Sequence, residues 1–315
     1  MTATTRHLPQ TSHNDRRFLL KGILVGLLAA SIGALYTVFA RWGIAHGLSS
    51  PDLTVLRFGV AGVLMLPVWV MACRRDSAQF LTRWRVWLLV ALLAGTPFGL
   101  LMFGALQFAP PSHAAVFPFT AMSVMGMVLG AVVLGDKMTL RRIAGIAVVL
   151  MGLVLVSGVD AASLTLRASV GDAMFVLAGT LWAGFGIVLR KYRLDPLLAT
   201  AVISISALLT YVPGYLWLTG GEGLRLAAPH VFWIEVLVQG VIAGTGTLYT
   251  YSKMVSLLGP SRAAVFPALA PGLAALMAWP VLGHVPVPLE AAGLVLVMAG
   301  LIVAVTTSSA ASKAG

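Results

Sequence analysis

Charge is what this chain has least of. Only 10% of its 315 residues are Asp, Glu, Lys or Arg, against roughly 25% in a soluble domain. It cannot cover a water-facing surface. Cysteine is almost missing: a lone Cys73 excludes a disulfide framework within the chain. No CxxC or HExxH spacing occurs, so neither a metal nor a cofactor is expected. Acidic residues number 10, and none is expected near the middle of a membrane. Glu235 is the deepest, roughly one turn into its helix. That scarcity argues against cation or multidrug antiport through a central acid and leaves histidine as the remaining titrating side chain. No loop is long enough for a soluble domain, which weighs against a membrane sensor or scaffold. No interfacial Asp, His or Lys cluster suits a membrane enzyme acting on lipids or prenyl groups.

What is present is apolar. Hydrophobic residues make up 59% of the chain, and mean hydropathy is +0.96. Stretches of about 20 apolar residues, the length a helix needs to cross a bilayer, recur throughout. Helices are predicted at 18–40, 52–72, 86–106, 112–134, 141–157, 171–190, 197–218, 231–252, 262–282 and 289–306. The first is expected to be a retained membrane helix after a polar, basic tail at 1–17, and a second tail covers 308–315. The net charge of +11 reflects topology rather than nucleic-acid binding. With the N-terminus inside, 17 of 21 basic residues fall on one side, 3 on the other, and Arg57 lies within a span. That asymmetry predicts a multi-pass protein of the plasma (inner) membrane with both termini cytoplasmic. The partners expected are the lipid bilayer and a small molecule.

The chain also repeats itself. "SHAAVFPFTA" at Ser112–Ala121 returns as "SRAAVFPALA" at Ser261–Ala270, with seven of ten positions identical. "AGT" at Ala94–Thr96 returns at Ala243–Thr245 with the same offset of 149. After a one-residue gap, Gly145 and Gly152 fall on Gly293 and Gly300. Units at 18–158 and 171–307 each hold five predicted helices, and an odd number turns the second unit over in the membrane. The fold class expected is therefore an all-α integral membrane protein, with ten transmembrane helices arranged as two inverted five-helix repeats. The change from His113 to Arg262 fits the inversion, because arginine is favoured on the cytoplasmic side.

These features resemble the drug/metabolite transporter superfamily, specifically its EamA-type family. The marks are "ALYTVFARWG" near the first helix, "LRF" at Leu56–Phe58, the two "AAVFP" segments and the "LGD…RRIAG…MG" pattern, over about residues 20–306. Tyr36 stands where the family often has Trp, and His284 where an acidic residue often follows "LG". The resemblance implies a central cavity, alternating access and export of small metabolites, amino acids and related compounds among them. A sensor or scaffold without transport is the alternative.

Tyr36, Phe117, Trp182, Tyr249, Tyr251 and Phe266 fall on helices that line the cavity in that family. Their rings could hold an apolar or zwitterionic substrate, or simply pack between helices. Thr96 and Thr245 recur in both units and could contact substrate or bond back to their own helix. Pro118 and Pro267 each remove a backbone donor within an apolar run, with Pro97 and Pro271 nearby. The freed carbonyls must be met by protein or a water-filled cavity, so these bends either shape the site or are satisfied by neighbouring helices. Arg57 is about six residues into its span, and a structural ion pair or packing role is favoured over binding a substrate carboxylate. His113, near a helix start, reads as interfacial. The pairs Gly126/Gly130 and Gly240/Gly244 read as close helix packing within the chain, and the protein is expected to be a monomer or homodimer.

Overall fold

The computed structural model describes residues 13–109, 111–157, 165–282 and 288–306. The predicted tails are outside this range except for His13–Arg17, and so is His284. Among the described residues all regular structure is helical. In chain order the helices are α1 (His13–Ala45), α2 (Ser50–Arg75), α3 (Ala78–Thr82), α4 (Trp84–Ala94), α5 (Thr96–Phe108), α6 (Pro111–Leu134), α7 (Leu140–Ser157) and α8 (Leu166–Lys191). Then come α9 (Pro196–Thr219), α10 (Glu222–Leu226) and α11 (Pro229–Glu235). A π-helical segment, Val236–Thr247, joins α11 to α12 (Leu248–Leu258). Next are α13 (Pro260–Ala263), a 3-10 turn (Phe266–Leu269), α14 (Ala270–Leu282) and α15 (Pro288–Thr306).

Among the described residues seven stretches are long and apolar enough to cross a membrane: Arg17–Ala45, Ser50–Arg75, Trp84–Phe108, Phe117–Leu134, Leu166–Lys191, Pro196–Thr219 and Pro229–Leu258. The other segments predicted to span, over 141–157, 262–282 and 289–306, are also largely helical. Large apolar side chains such as Leu24, Leu28, Val132, Leu216 and Trp217 point outward. In water that surface would be unstable; in lipid it is the expected one.

Local chemistry sets the helix starts. Ser49 and Asp52 form a reciprocal capping box at α2, with Pro51 in the first turn. The Thr165 hydroxyl accepts from the Ala168 N–H at 3.1 Å, and the Asp195 carboxylate from the Leu198 N–H at 2.8 Å. Each satisfies an amide that the first helical turn leaves without an intrahelical partner.

Contacts between turns sort them into two ends. At one end α1 begins beside α12, where Gly22 packs on Leu258. Asp136 lies within electrostatic reach of both Arg142 and Arg262, which brings the turns before α7 and α13 to this end. At the other end, Gly104 near the close of α5 faces Met174 and Ser50, Gly171 at the start of α8 meets Ala109, and Gly223 meets Asp52. The guanidinium of Arg167 donates to the Gln107 carbonyl there at 3.3 Å.

The helix predicted at 86–106 is divided. Gly95 adopts φ −93 and ψ −138, and α5 restarts at Thr96 with Pro97. A Cβ on Gly95 would lie 2.3 Å from the Ala91 carbonyl oxygen, so only glycine fits this bend. The helix predicted at 262–282 is also divided, whereas Pro118 sits inside a continuous α6. The two repeat prolines therefore differ in effect. Pro267 is followed four residues later by Pro271, so bonds are missing from successive turns. The chain there falls back on i→i−3 bonds: Ala268 donates to Val265 at 3.2 Å, and Ala270 donates to Pro267. The Ser123 hydroxyl of α6 donates to the Ala264 carbonyl at 3.0 Å, meeting the break from the other unit.

The repeated glycines pack against one another. A Cβ on Gly300 of α15 would lie 2.6 Å from the Gly145 carbonyl of α7, and one on Gly152 would lie 2.7 Å from the Gly293 carbonyl. The backbones approach as closely as small residues permit. Gly300→Val should therefore destabilise the fold by about 1–3 kcal/mol, as overpacking does. Gly214→Ala, with no atom within 4 Å of the new Cβ, should keep or raise stability. Thermal unfolding of the purified variants checks both.

Candidate functional site

The site is built where α1, α5, α6, α8, α12 and the broken α13–α14 segment converge. Its centre is Trp182 of α8, 3% exposed. The Trp182 ring lies 4.6 Å from Phe98 and 4.9 Å from Tyr251, centroid to centroid, with Phe185 at 5.7 Å. Beside them is a small cavity whose walls include Tyr36, Phe98, Trp182, Thr247, Tyr251, Phe266 and Pro267. The walls are mainly apolar: six of the fourteen lining residues are aromatic, most of the rest are alanine, methionine, glycine or proline, and Thr247 is among them. The Thr247 hydroxyl oxygen is buried and has no hydrogen-bond partner. A buried polar atom left unpaired costs about 1–3 kcal/mol, so it favours an occupant carrying a polar group.

Of the residues singled out in the sequence, Tyr36, Trp182, Tyr251, Phe266 and Pro267 come together on this wall. Others lie elsewhere. Phe117 stacks on His113 with centroids 5.3 Å apart. The Pro118 carbonyl faces Gly179, where a Cβ would be 2.4 Å away, so this stretch of α6 packs on α8. Tyr249 is 40% exposed on the outer surface. Thr96 opens α5 and is half-buried. The Thr245 hydroxyl donates to the Val241 carbonyl of its own helix. Thr247, two residues on, is the threonine at the cavity, and it was not singled out in the sequence. Its signal was the glycine-rich "GVIAGTGT", with Gly240, Gly244 and Gly246, in which the helix widens to π geometry.

The "AGT" echo marks distortion in both units. Gly95 breaks the first copy, and Gly244 lies within the π segment. A Cβ on Gly244 would come 2.3 Å from the Arg57 carbonyl, so this glycine brings α2 onto the π segment. Gly240 likewise packs on Val60, and Gly126 on Ala264. Both GxxxG pairs thus have a glycine used in packing inside the chain.

Arg57 is 1% exposed, and none of its guanidinium nitrogens has a hydrogen-bond partner. No ion pair forms. Its guanidinium lies 4.4 Å from the centroid of the Tyr36 ring and 5.8 Å from that of Phe58. Such stacking is worth about 2 kcal/mol when desolvated, less than the several kcal/mol that burying a lone charge costs. Arg57 touches the cavity wall through Tyr36 rather than lining it itself. His113 is wholly buried, with Nδ1 2.8 Å from Asp172 Oδ1 of α8.

Glu235 and Gln239 are a further buried polar pair, both 0% exposed. The Gln239 side-chain N–H donates to the Tyr36 carbonyl at 2.9 Å. The Glu235 carboxylate lies beside Gln239 and the Gly43 backbone, but neither oxygen makes a well-formed hydrogen bond.

A family model described as "EamA-like transporter family" matches residues 20–158 and 169–306. No curated protein is significantly similar to the chain. A solved structure titled "Crystal structure of protein" aligns with a TM-score of 0.64 and 19% identity, over 90% of this chain and 96% of the other. At that identity the likeness concerns the fold alone.

The unpaired guanidinium makes a distinctive prediction. Arg57→Met removes a buried charge while keeping much of the volume, so its thermal stability should equal or exceed that of the wild type. Arg57→Ala leaves a void and should lose about 2–5 kcal/mol. Unfolding midpoints of the two variants side by side decide it.

Proposed function

The chain belongs to the EamA-like transporter family, and from that premise we propose that it is a secondary transporter exporting a small metabolite, best an amino acid or related compound. The observation that carries this reading is the aromatic cavity with the unpaired Thr247 hydroxyl on its wall. An apolar side chain suits the rings of Trp182, Phe98 and Phe266. A substrate amine or carboxylate suits the tyrosine and threonine hydroxyls.

The architecture proposed is ten membrane spans in two inverted five-helix repeats. Several contacts support it. The first helix of the first unit starts at the end where Gly22 meets Leu258. The first helix of the second unit starts at the opposite end, where Gly171 meets Ala109. The cavity draws its wall from both units, Tyr36 and Phe98 from one, Trp182 and Phe266 from the other. Rocking of the units around it would expose the substrate to each side in turn. The basic excess at the end holding Arg74, Arg75, Arg190 and Lys191 supports an inner-membrane protein with that end cytoplasmic.

Efflux from proteoliposomes loaded with a panel of radiolabelled amino acids tests the proposal. At least one compound should leave faster than from empty-protein controls. Trp182→Ala should raise its half-saturating concentration about tenfold, and Thr247→Val several-fold. A panel in which nothing moves, or a folded Trp182→Ala variant with unchanged affinity, would count against it.

A further inference from the structure

A carboxylate buried in an apolar span without a counter-charge is not at rest as an anion. Glu235 ends α11 inside the apolar stretch Pro229–Leu258, is fully buried, and has two oxygens without hydrogen-bond partners. The side-chain oxygen of Gln239, one turn on, is also buried and unpartnered. Three acceptor atoms thus lie together, with the Gln239 amide and the Gly43 N–H beside them but neither in good hydrogen-bonding geometry with the carboxylate. Isolating an ionised carboxylate from water costs so much that the group instead takes up a cation or a proton.

The charged and titratable groups on neighbouring elements do not neutralise it. On α1 the closest residue is Gly43, where a Cβ would meet Glu235 Oε1 at 2.7 Å. Arg41 is two residues away on that helix and so faces elsewhere. His46 Nδ1 is engaged with the Trp42 carbonyl, and His230 of α11 lies against the Trp42 ring. Asp52 of α2 is bound by Ser49 and Tyr215, Arg57 of α2 lies over the Tyr36 ring and makes no ion pair with Glu235, and Arg225 of α10 donates to the Gly220 carbonyl. Exposed Glu222 belongs to α10, and the π segment contributes no charge. Among the described residues no ion pair reaches Glu235.

The same place is wired to the cavity. The Gln239 amide donates to the Tyr36 carbonyl, and the Tyr36 ring lines the cavity. The π segment begins one residue after Glu235 and ends at Thr247, also on the cavity wall. π-Helical geometry in place of α marks a strained stretch that is often functional.

We propose that Glu235, with Gln239, forms a proton-binding site whose state is passed to the cavity through Gln239 and Tyr36, so that proton uptake drives export. One proton from water adds to one carboxylate oxygen and leaves from it again. The resulting hydroxyl can donate to Gln239 Oε1, which otherwise has no partner. The site lies at the end remote from the basic loops, the side from which inward-moving protons would arrive.

The coupling step rests on the transport reading above; the protonation step does not, and the two are tested separately. Infrared spectra of the full chain in nanodiscs at neutral pH should contain a protonated-carboxyl stretch that disappears in Glu235→Gln. Glutamate-selective ¹³C labelling in a Glu222→Gln, Glu290→Gln background, where Glu235 is the remaining glutamate, should shift that band without altering Glu235. No such band, a band unchanged by both manipulations, or an ionised carboxylate signal that follows added sodium would overturn the proposal. In proteoliposomes, an inward gradient of one pH unit supports up to about tenfold outward accumulation per proton. Wild type should accumulate the transported amino acid, and Glu235→Gln should only equilibrate it. Equal accumulation by both would overturn the coupling. If wild type moves no amino acid, the transport reading fails while the infrared result still decides the proton site.

Discussion

In a lipid environment a backbone amide or carbonyl must find its partner inside the protein, because no water is available to supply one. An uninterrupted α-helix meets that demand within itself and has little left to offer a ligand. This chain departs from α geometry at Gly95, over Val236–Thr247 and over Ala264–Leu269, and the consequences of those departures organise the molecule. The break before Pro267 is met by Ser123 from the other unit. The π segment is met by α2 through Gly240 and Gly244. Phe98, Thr247, Phe266 and Pro267, at or next to these distortions, face one cavity.

The polar interior follows from that arrangement. Arg57 has no counter-ion among the described residues and is held over Tyr36, so an aromatic ring connects it to the cavity. Gln239 holds the carbonyl of the same tyrosine. Tyr36 is thus the point at which α1, α2 and the π segment meet, and it is also cavity wall. The outer surface has a simpler role, with exposed leucine, valine and tryptophan matching lipid.

Much of this was legible in the residues. Apolar run lengths located the helices, and the two "AAVFP" phrases exposed the repeat. The glycines matched between units proved to be the contact of α7 with α15. Tyr36, Trp182 and Phe266 were singled out because the family resemblance puts them on cavity-lining helices, and Pro267 because it removes a donor within an apolar run; all four line the cavity. The limits have physical causes. Pro118 and Pro267 look alike in sequence, yet only the second breaks its helix, because Pro271 removes a second bond in the next turn. Thr245 and Thr247 are two residues apart, and helical facing alone decides which reaches the cavity. His113 and Glu235 lie near span ends, and burial there comes from helices distant in the chain, such as α8 for His113 and α1 for Glu235.

Transport of the kind proposed requires the two repeats to move about the shared cavity. Spin-label distance measurements in a Cys73→Ser background address it most directly. One labelled pair replaces Ser77 and Arg193 at the basic end, and another replaces Gly47 and Gly221 at the opposite end. Each pair should show two distance populations, with the open fraction at one end rising as that at the other falls. A single fixed distance at both ends, under every condition in which substrate moves, would contradict it.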